Sequence, residues 1–138
     1  IGTDSHIGIN PLEEIRLLDY GQRLITHQRD TFAMKNGDSG GFALEMALIT
    51  GRKAMNNFST DYFRIGDSLN AAILDATSPL LALTTPKNMA SSIVYSSDVS
   101  HQTGTIVNGK RMNENGKHML YEKIKLKFLS TMRELGNR

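Results

Sequence analysis

The residues best placed to do chemistry open the chain: Ile1-Gly2-Thr3-Asp4-Ser5-His6. One apolar residue, two small ones and then an acid is the pattern of a buried strand emerging into a site. It predicts a strand ending at Asp4, with the carboxylate at its C-terminal tip and Ser5 and His6 in the loop beyond. In an α/β barrel catalytic groups collect at such tips, because the loops after the strands build the active face. The plain alternative is a carboxylate that caps a loop or a helix. His27, His101 and His118 show neither H-x-H nor H-E-x-x-H spacing and read as surface histidines.

A helix must hold this loop. Asn10 suits an N-cap, Pro11 the first helical position, and Glu13 the place three residues after the cap. Glu13 and Glu14 favour the positive end of the helix dipole, and Arg23, His27 and Arg29 lie toward its negative end. Leu17, Leu18, Gly21, Leu24 and Ile25 follow one-face spacing, so a helix is expected over 11–27. Residues 29–41 are polar and glycine-rich and read as a loop, in which Asp38 or Ser39 caps a second helix. Its stripe is Leu44, Ala47, Leu48, Gly51, Ala54 and Met55; Gly51, costly in a free helix, implies close packing there.

After Asn56 the character changes. Short strands are expected at 71–74 and 91–95, and a hairpin at 103–113 turning on Asn108-Gly109. Asn115-Gly116 marks another turn. A last helix over 119–135 carries Tyr121, Ile124, Phe128, Met132 and Leu135 on one face, with Lys123, Lys125, Lys127 and Arg133 as a solvated face.

The run GTDSHIGINPLEEIRLLDYGQRL resembles the last barrel strand and following helix of the amidohydrolase superfamily. EEIRLLDYGQRL makes the likeness closest to the formimidoylglutamate deiminases. ITGRKAMN, IGDSLNAAILDATSP and TIVNGKRMNENGK are similar to later superfamily segments in the same order, with Asn70 standing where an Asp is usual. The resemblance implies a metal-dependent hydrolase acting on a C–N bond, converting N-formimidoyl-L-glutamate to N-formyl-L-glutamate and ammonia. It implies Asp4 as metal ligand and proton shuttle for zinc or another divalent metal, with Ser5 and His6 supporting Asp4 or touching substrate. Arg16, Tyr20, Gln22 and Arg23 then orient the helix or meet another subunit. Alternatives are a cytosine- or guanine-type aminohydrolase and a non-catalytic interaction module.

The implied fold is α/β, or α+β if the piece stands alone. Residues 1–57 are the end of a TIM-type barrel, 58–117 part of a small composite sheet domain, and 118–138 a terminal helix. A strand pattern at Ile1 with no starting methionine implies a piece of a longer protein. The family's histidine pairs on other strands are missing from the 138 residues, so the piece alone is expected to be inactive and without bound metal.

Composition agrees with a globular domain: 39% hydrophobic, 22% charged. A net charge of +2 gives no argument for nucleic acid or anionic membrane, despite an isoelectric point near 9.0. No apolar run approaches the roughly 18 residues of a membrane span. The absence of cysteine fits a reducing cytoplasm. The partners expected are a small-molecule substrate and further copies of the chain.

Overall fold

The computed structural model describes residues 1–29, 31–33 and 37–137. Residues 30 and 34–36, part of the expected loop, lie outside the described residues, as does Arg138. The chain mixes helix and strand and divides into two compact units, residues 1–65 with 75–101, and residues 66–74 with 102 onward. These boundaries differ from the expected 1–57, 58–117 and 118–138, because residues 75–101 fold back onto the first helices.

The first unit holds α1 (Pro11–Thr26), α2 (Ser39–Ala54) and α3 (Met89–Ser96). Asn10 caps α1 through its side chain, accepting from Leu12 N at 3.1 Å and Glu13 N at 3.4 Å. His27 ends the helix in the left-handed region, at φ 55°. The core is Ile15 of α1, Phe32, Ala43 of α2 and Val94 of α3, ringed by Phe42, Leu44, Met46, Ala47 and Tyr95. Phe32 and Phe42 meet edge-on with centroids 5.7 Å apart.

Residues 91–95, expected as a strand, lie inside α3. A short apolar run cannot be told from a buried helical turn by periodicity. Here Asn88 starts the helix: its side-chain oxygen accepts from Thr85 N at 2.6 Å, and its backbone carbonyl accepts from Ser92 N at 2.8 Å. Val94 then becomes fully buried. Close packing in this unit belongs to Gly40 rather than Gly51. A Cβ at Gly40 would fall on the backbone of Ala90 and Ser91, whereas one at Gly51 would meet nothing within 4 Å. Asp38 caps α2, accepting from Gly41 N at 3.0 Å, and also accepts from Ser91 Oγ at 2.8 Å. The buried side of α2 therefore runs through Gly40 and Ala43, while Leu48, Gly51, Ala54 and Met55 of the expected stripe are exposed.

No strand forms at residues 1–4. A parallel strand needs a neighbour to satisfy its backbone groups, and no described residue pairs with this segment as a strand. The chain turns instead: His6 N donates to Thr3 O at 2.7 Å, and Asp4 sits at φ 37°, in the left-handed region that Asp tolerates better than most residues.

The second unit is an antiparallel sheet in the order β1-β2-β3-β4, followed by α4 (Tyr121–Gly136). Its strands are β1 (Ala71–Leu74), β2 (Gln102–Val107), β3 (Lys110–Glu114) and β4 (Lys117–His118). Asn108 and Gly109, at φ 50° and 73°, make the expected tight hairpin turn, and Asn115 and Gly116 the next. Asn70 has a structural task here: its side-chain carbonyl accepts from Asn108 N at 3.0 Å and ties the turn to the start of β1. The apolar residues of α4 are all exposed among the described residues, Ile124 and Phe128 included. None of the described helices is long and apolar enough to cross a membrane.

Candidate active site

The site begins with the stability of α1, which carries the loop. Arg16 donates to Val94 O at 2.7 Å and Ser97 O at 2.9 Å, placing a cation at the carbonyl end of α3. One turn on, the fully buried Asp19 carboxylate accepts from Arg23 at 2.5 Å, Tyr95 Oη at 2.8 Å and Thr31 Oγ1 at 2.9 Å. Burial by itself raises the Asp19 pKa, but the hydrogen bonds from Arg23, Tyr95 and Thr31, with the Arg23 charge, lower it overall. Burial, reinforced by the hydrogen bond to Asp19, pushes the Tyr95 phenol up to about 12. The Arg23 guanidinium also lies 5.6 Å from the Tyr20 ring centre and 5.7 Å from that of Tyr95. Three of the four residues expected to orient the helix, Arg16, Tyr20 and Arg23, thus fasten α1 to α3. Gln22 lines a separate hollow with Leu18 and Phe42.

On this platform stands the opening turn. Asp4 is exposed, and Ser5 Oγ reaches its Oδ1 at 3.4 Å, at the long limit of a hydrogen bond. His6 points back to α1, with Nδ1 2.6 Å from Oε1 of Glu14. The Glu14 side chain is 13% exposed, that of His6 55%. Ser5, His6, Ile7, Gly8, Glu13 and Leu17 line a shallow hollow of about 460 Å³. The structure therefore gathers Ser5 and His6 beside one hollow, with Asp4 in the adjoining turn.

Asp19 and Glu14 were not singled out by sequence reasoning as site-forming residues. Asp19 had one usable mark, an acid four residues before Arg23 within an apolar repeat. Glu14 had none, since its partner lies eight residues away across the loop. The remaining histidines stay apart from the turn: His27 ends α1, His101 accepts from Asp98 N at 3.3 Å, and His118 accepts from Leu120 N at 3.1 Å.

Among the described residues no three of His, Cys, Asp and Glu come together to hold a metal ion. Asp4 offers a single carboxylate, and His6 Nδ1 is committed to Glu14. The described residues do not by themselves fit the divalent metal that the resemblance implies. What the turn can supply is one exposed carboxylate able to accept and return a proton.

No family model matches the chain. It is 24% identical over 135 residues to formimidoylglutamate deiminase of Pseudomonas aeruginosa, covering 98% of this chain and 30% of that protein. Its fold matches that of an amidohydrolase from Brucella melitensis with a TM-score of 0.82 at 26% identity, over 98% of this chain and 29% of the other. The chain spans less than a third of the length of either relative. Along nearly all of its length, in sequence and in fold, the chain is similar to a portion of an amidohydrolase-superfamily deaminase, with formimidoylglutamate deiminase among its relatives.

Proposed function

We propose that these residues serve within a longer hydrolase of the amidohydrolase superfamily that cleaves the C–N bond of a formimidoyl group. The observation that carries this reading is likeness over 98% of the chain, in sequence to a formimidoylglutamate deiminase and in fold to an amidohydrolase. In this reading residues 1–57 close a (β/α)8 barrel, whose other strands offer the opening segment the hydrogen-bonding edge it lacks here. Water adds to the formimidoyl carbon of N-formimidoyl-L-glutamate. The carbon–nitrogen bond to the terminal nitrogen breaks, a carbonyl forms, and ammonia leaves with N-formyl-L-glutamate as the other product. Asp4 takes a proton from the attacking water and returns it to the departing nitrogen, acting first as base and then as acid. One carboxylate does not hold a catalytic zinc or other divalent ion, so the rest of any ligand set belongs to segments beyond these 138 residues.

We also propose self-association of the chain, because Leu24 and Ile25 of α1 stand 77% and 74% exposed. A second functional reading, a non-catalytic interaction module, is favoured by the same exposed Leu24 and Ile25. The two separate in one assay. The longer protein that carries these residues is given N-formimidoyl-L-glutamate, cytosine and guanine in turn, and ammonia is followed. Release from the formimidoyl substrate alone supports the deiminase reading. Release from cytosine or guanine moves the assignment within the superfamily, and no release from any of the three leaves the module.

A further inference from the structure

The contact between His6 and Glu14 has no part in the proton transfers assigned to Asp4, yet it is the shortest polar tie between the opening turn and α1. Nδ1 of His6 and Oε1 of Glu14 lie 2.6 Å apart. At that distance from a carboxylate, Nδ1 carries the hydrogen and donates it. In the neutral ring Nε2 is then the bare acceptor, the reverse of the tautomer that a free histidine side chain prefers in water. Glu14 is well suited to impose this choice. It lies in the first turn of α1, its side chain is largely shielded, and its own N donates to Asn10 O at 3.2 Å. Two residues further on, Arg16 anchors the same helix to α3. His6, by contrast, belongs to an exposed loop and lines the hollow with Ser5, Glu13 and Leu17.

We propose that Glu14 is a positioning residue: it fixes the His6 ring as the Nδ1–H tautomer, holds the Thr3–His6 turn that carries Asp4 against α1, and leaves Nε2 as an acceptor for an N–H group at the hollow. A formimidoyl substrate presents such N–H groups, so the last clause rests on the proposed function, whereas the tautomer and the turn do not. Behind metal-bound histidines a carboxylate is a recurring means of fixing ring orientation, and removing it there typically costs about 10- to 100-fold in metal affinity or activity, which sets the scale expected here.

The test has two arms. In the 138-residue chain, the two ring nitrogens of His6 are distinguished by long-range nitrogen–proton NMR at about pH 8.5, above the ordinary histidine range. The wild type is expected to show the Nδ1–H tautomer, with the His6 backbone amide protected from exchange. Glu14→Ala is expected to return the ring to the Nε2–H form and to speed exchange of that amide. Glu14→Gln, whose carbonyl still accepts, is expected to retain the Nδ1–H form. An Nε2–H ring in the wild type, or an unchanged ring and amide in Glu14→Ala, overturns the proposal.

In the longer hydrolase, Glu14→Ala is expected to lower kcat about 10- to 100-fold, with Glu14→Gln recovering most of the loss. An unchanged kcat beside a switched tautomer overturns the positioning role. Failure of the wild-type enzyme to release ammonia would sink the proposed function instead, and the NMR arm would still decide what Glu14 does.

Discussion

Replacing Asp19 should be among the most damaging single changes in the first unit. The carboxylate is fully buried and accepts from three donors on three segments: Arg23 in α1, Thr31 in the following loop and Tyr95 in α3. Removing one partner of a buried ion pair typically costs about 3–5 kcal/mol, and each donor left without an acceptor about 1–3 kcal/mol. The full sum does not apply, because the Arg23 side chain is 34% exposed and can recover water. Asp19→Ala is therefore expected to cost about 3 kcal/mol, a large share of the roughly 5–15 kcal/mol that holds a domain folded. Asp19→Asn keeps the shape and one acceptor oxygen and should cost about 1–3 kcal/mol. Urea unfolding followed by tyrosine fluorescence suits the measurement. The protein has no tryptophan, and Tyr20 and Tyr95 sit at the cluster 6.3 Å apart. Tyr95→Phe alone should cost about 1 kcal/mol. Combined with Asp19→Ala it should cost less than the two singly added, by about 0.5 kcal/mol or more, because both remove the same hydrogen bond. A loss under about 1 kcal/mol for Asp19→Ala, or strict additivity in the double variant, would refute the reasoning.

Linkage at the same cluster sets two pH limits. The Asp19 pKa is lowered from 3.8 in the folded chain, so its contribution is present above that value and lost as pH falls below it. The Tyr95 pKa is raised from 10.0 to about 12, so its contribution is present below 10 and lost as pH rises toward 12. Urea midpoints across both windows should fall in the wild type, and the alkaline fall should shrink in Tyr95→Phe. Gly40→Ala, which sets a methyl group on the backbone of α3, should destabilise by about 1–3 kcal/mol, while Gly51→Ala on the open side of α2 should stabilise by up to about 1 kcal/mol; thermal unfolding of the pair reads both. For the isolated 138-residue chain, equilibrium dialysis should give no tight zinc binding and ammonia assays no turnover, since Asp4 is a lone carboxylate. Stoichiometric zinc at micromolar concentration would contradict that.

Local punctuation was the most legible part of the chain. Asn10-Pro11 marks the start of α1, Asp38 caps α2, and Asn108-Gly109 and Asn115-Gly116 place both hairpin turns. Each works through neighbours in sequence, by fixing a dihedral or accepting from the next turn. Misreadings arose where distant segments decide. The run at 91–95 becomes helix because Val94 completes a core with Ile15 and Ala43. Gly40, not Gly51, is the packing glycine because α3 crosses at that end of α2. The opening strand pattern stays a turn, since a strand is a property of a pair. Asp4, Ser5 and His6 could be nominated from residue types alone. The Glu14 carboxylate behind His6 could not, because only the return of the loop onto α1 brings the two together.

Under the proposed function, Asp4 carries the proton in the hydrolysis of a formimidoyl C–N bond. The most direct measurement is ammonia release from N-formimidoyl-L-glutamate by the longer protein, wild type against Asp4→Asn, with circular dichroism to show that both are folded. Turnover is expected in the wild type, and a fall in kcat of about 10²- to 10⁴-fold in the variant, the contribution of a positioned acid–base group. An Asp4→Asn protein that releases ammonia within a few-fold of the wild-type rate would contradict it.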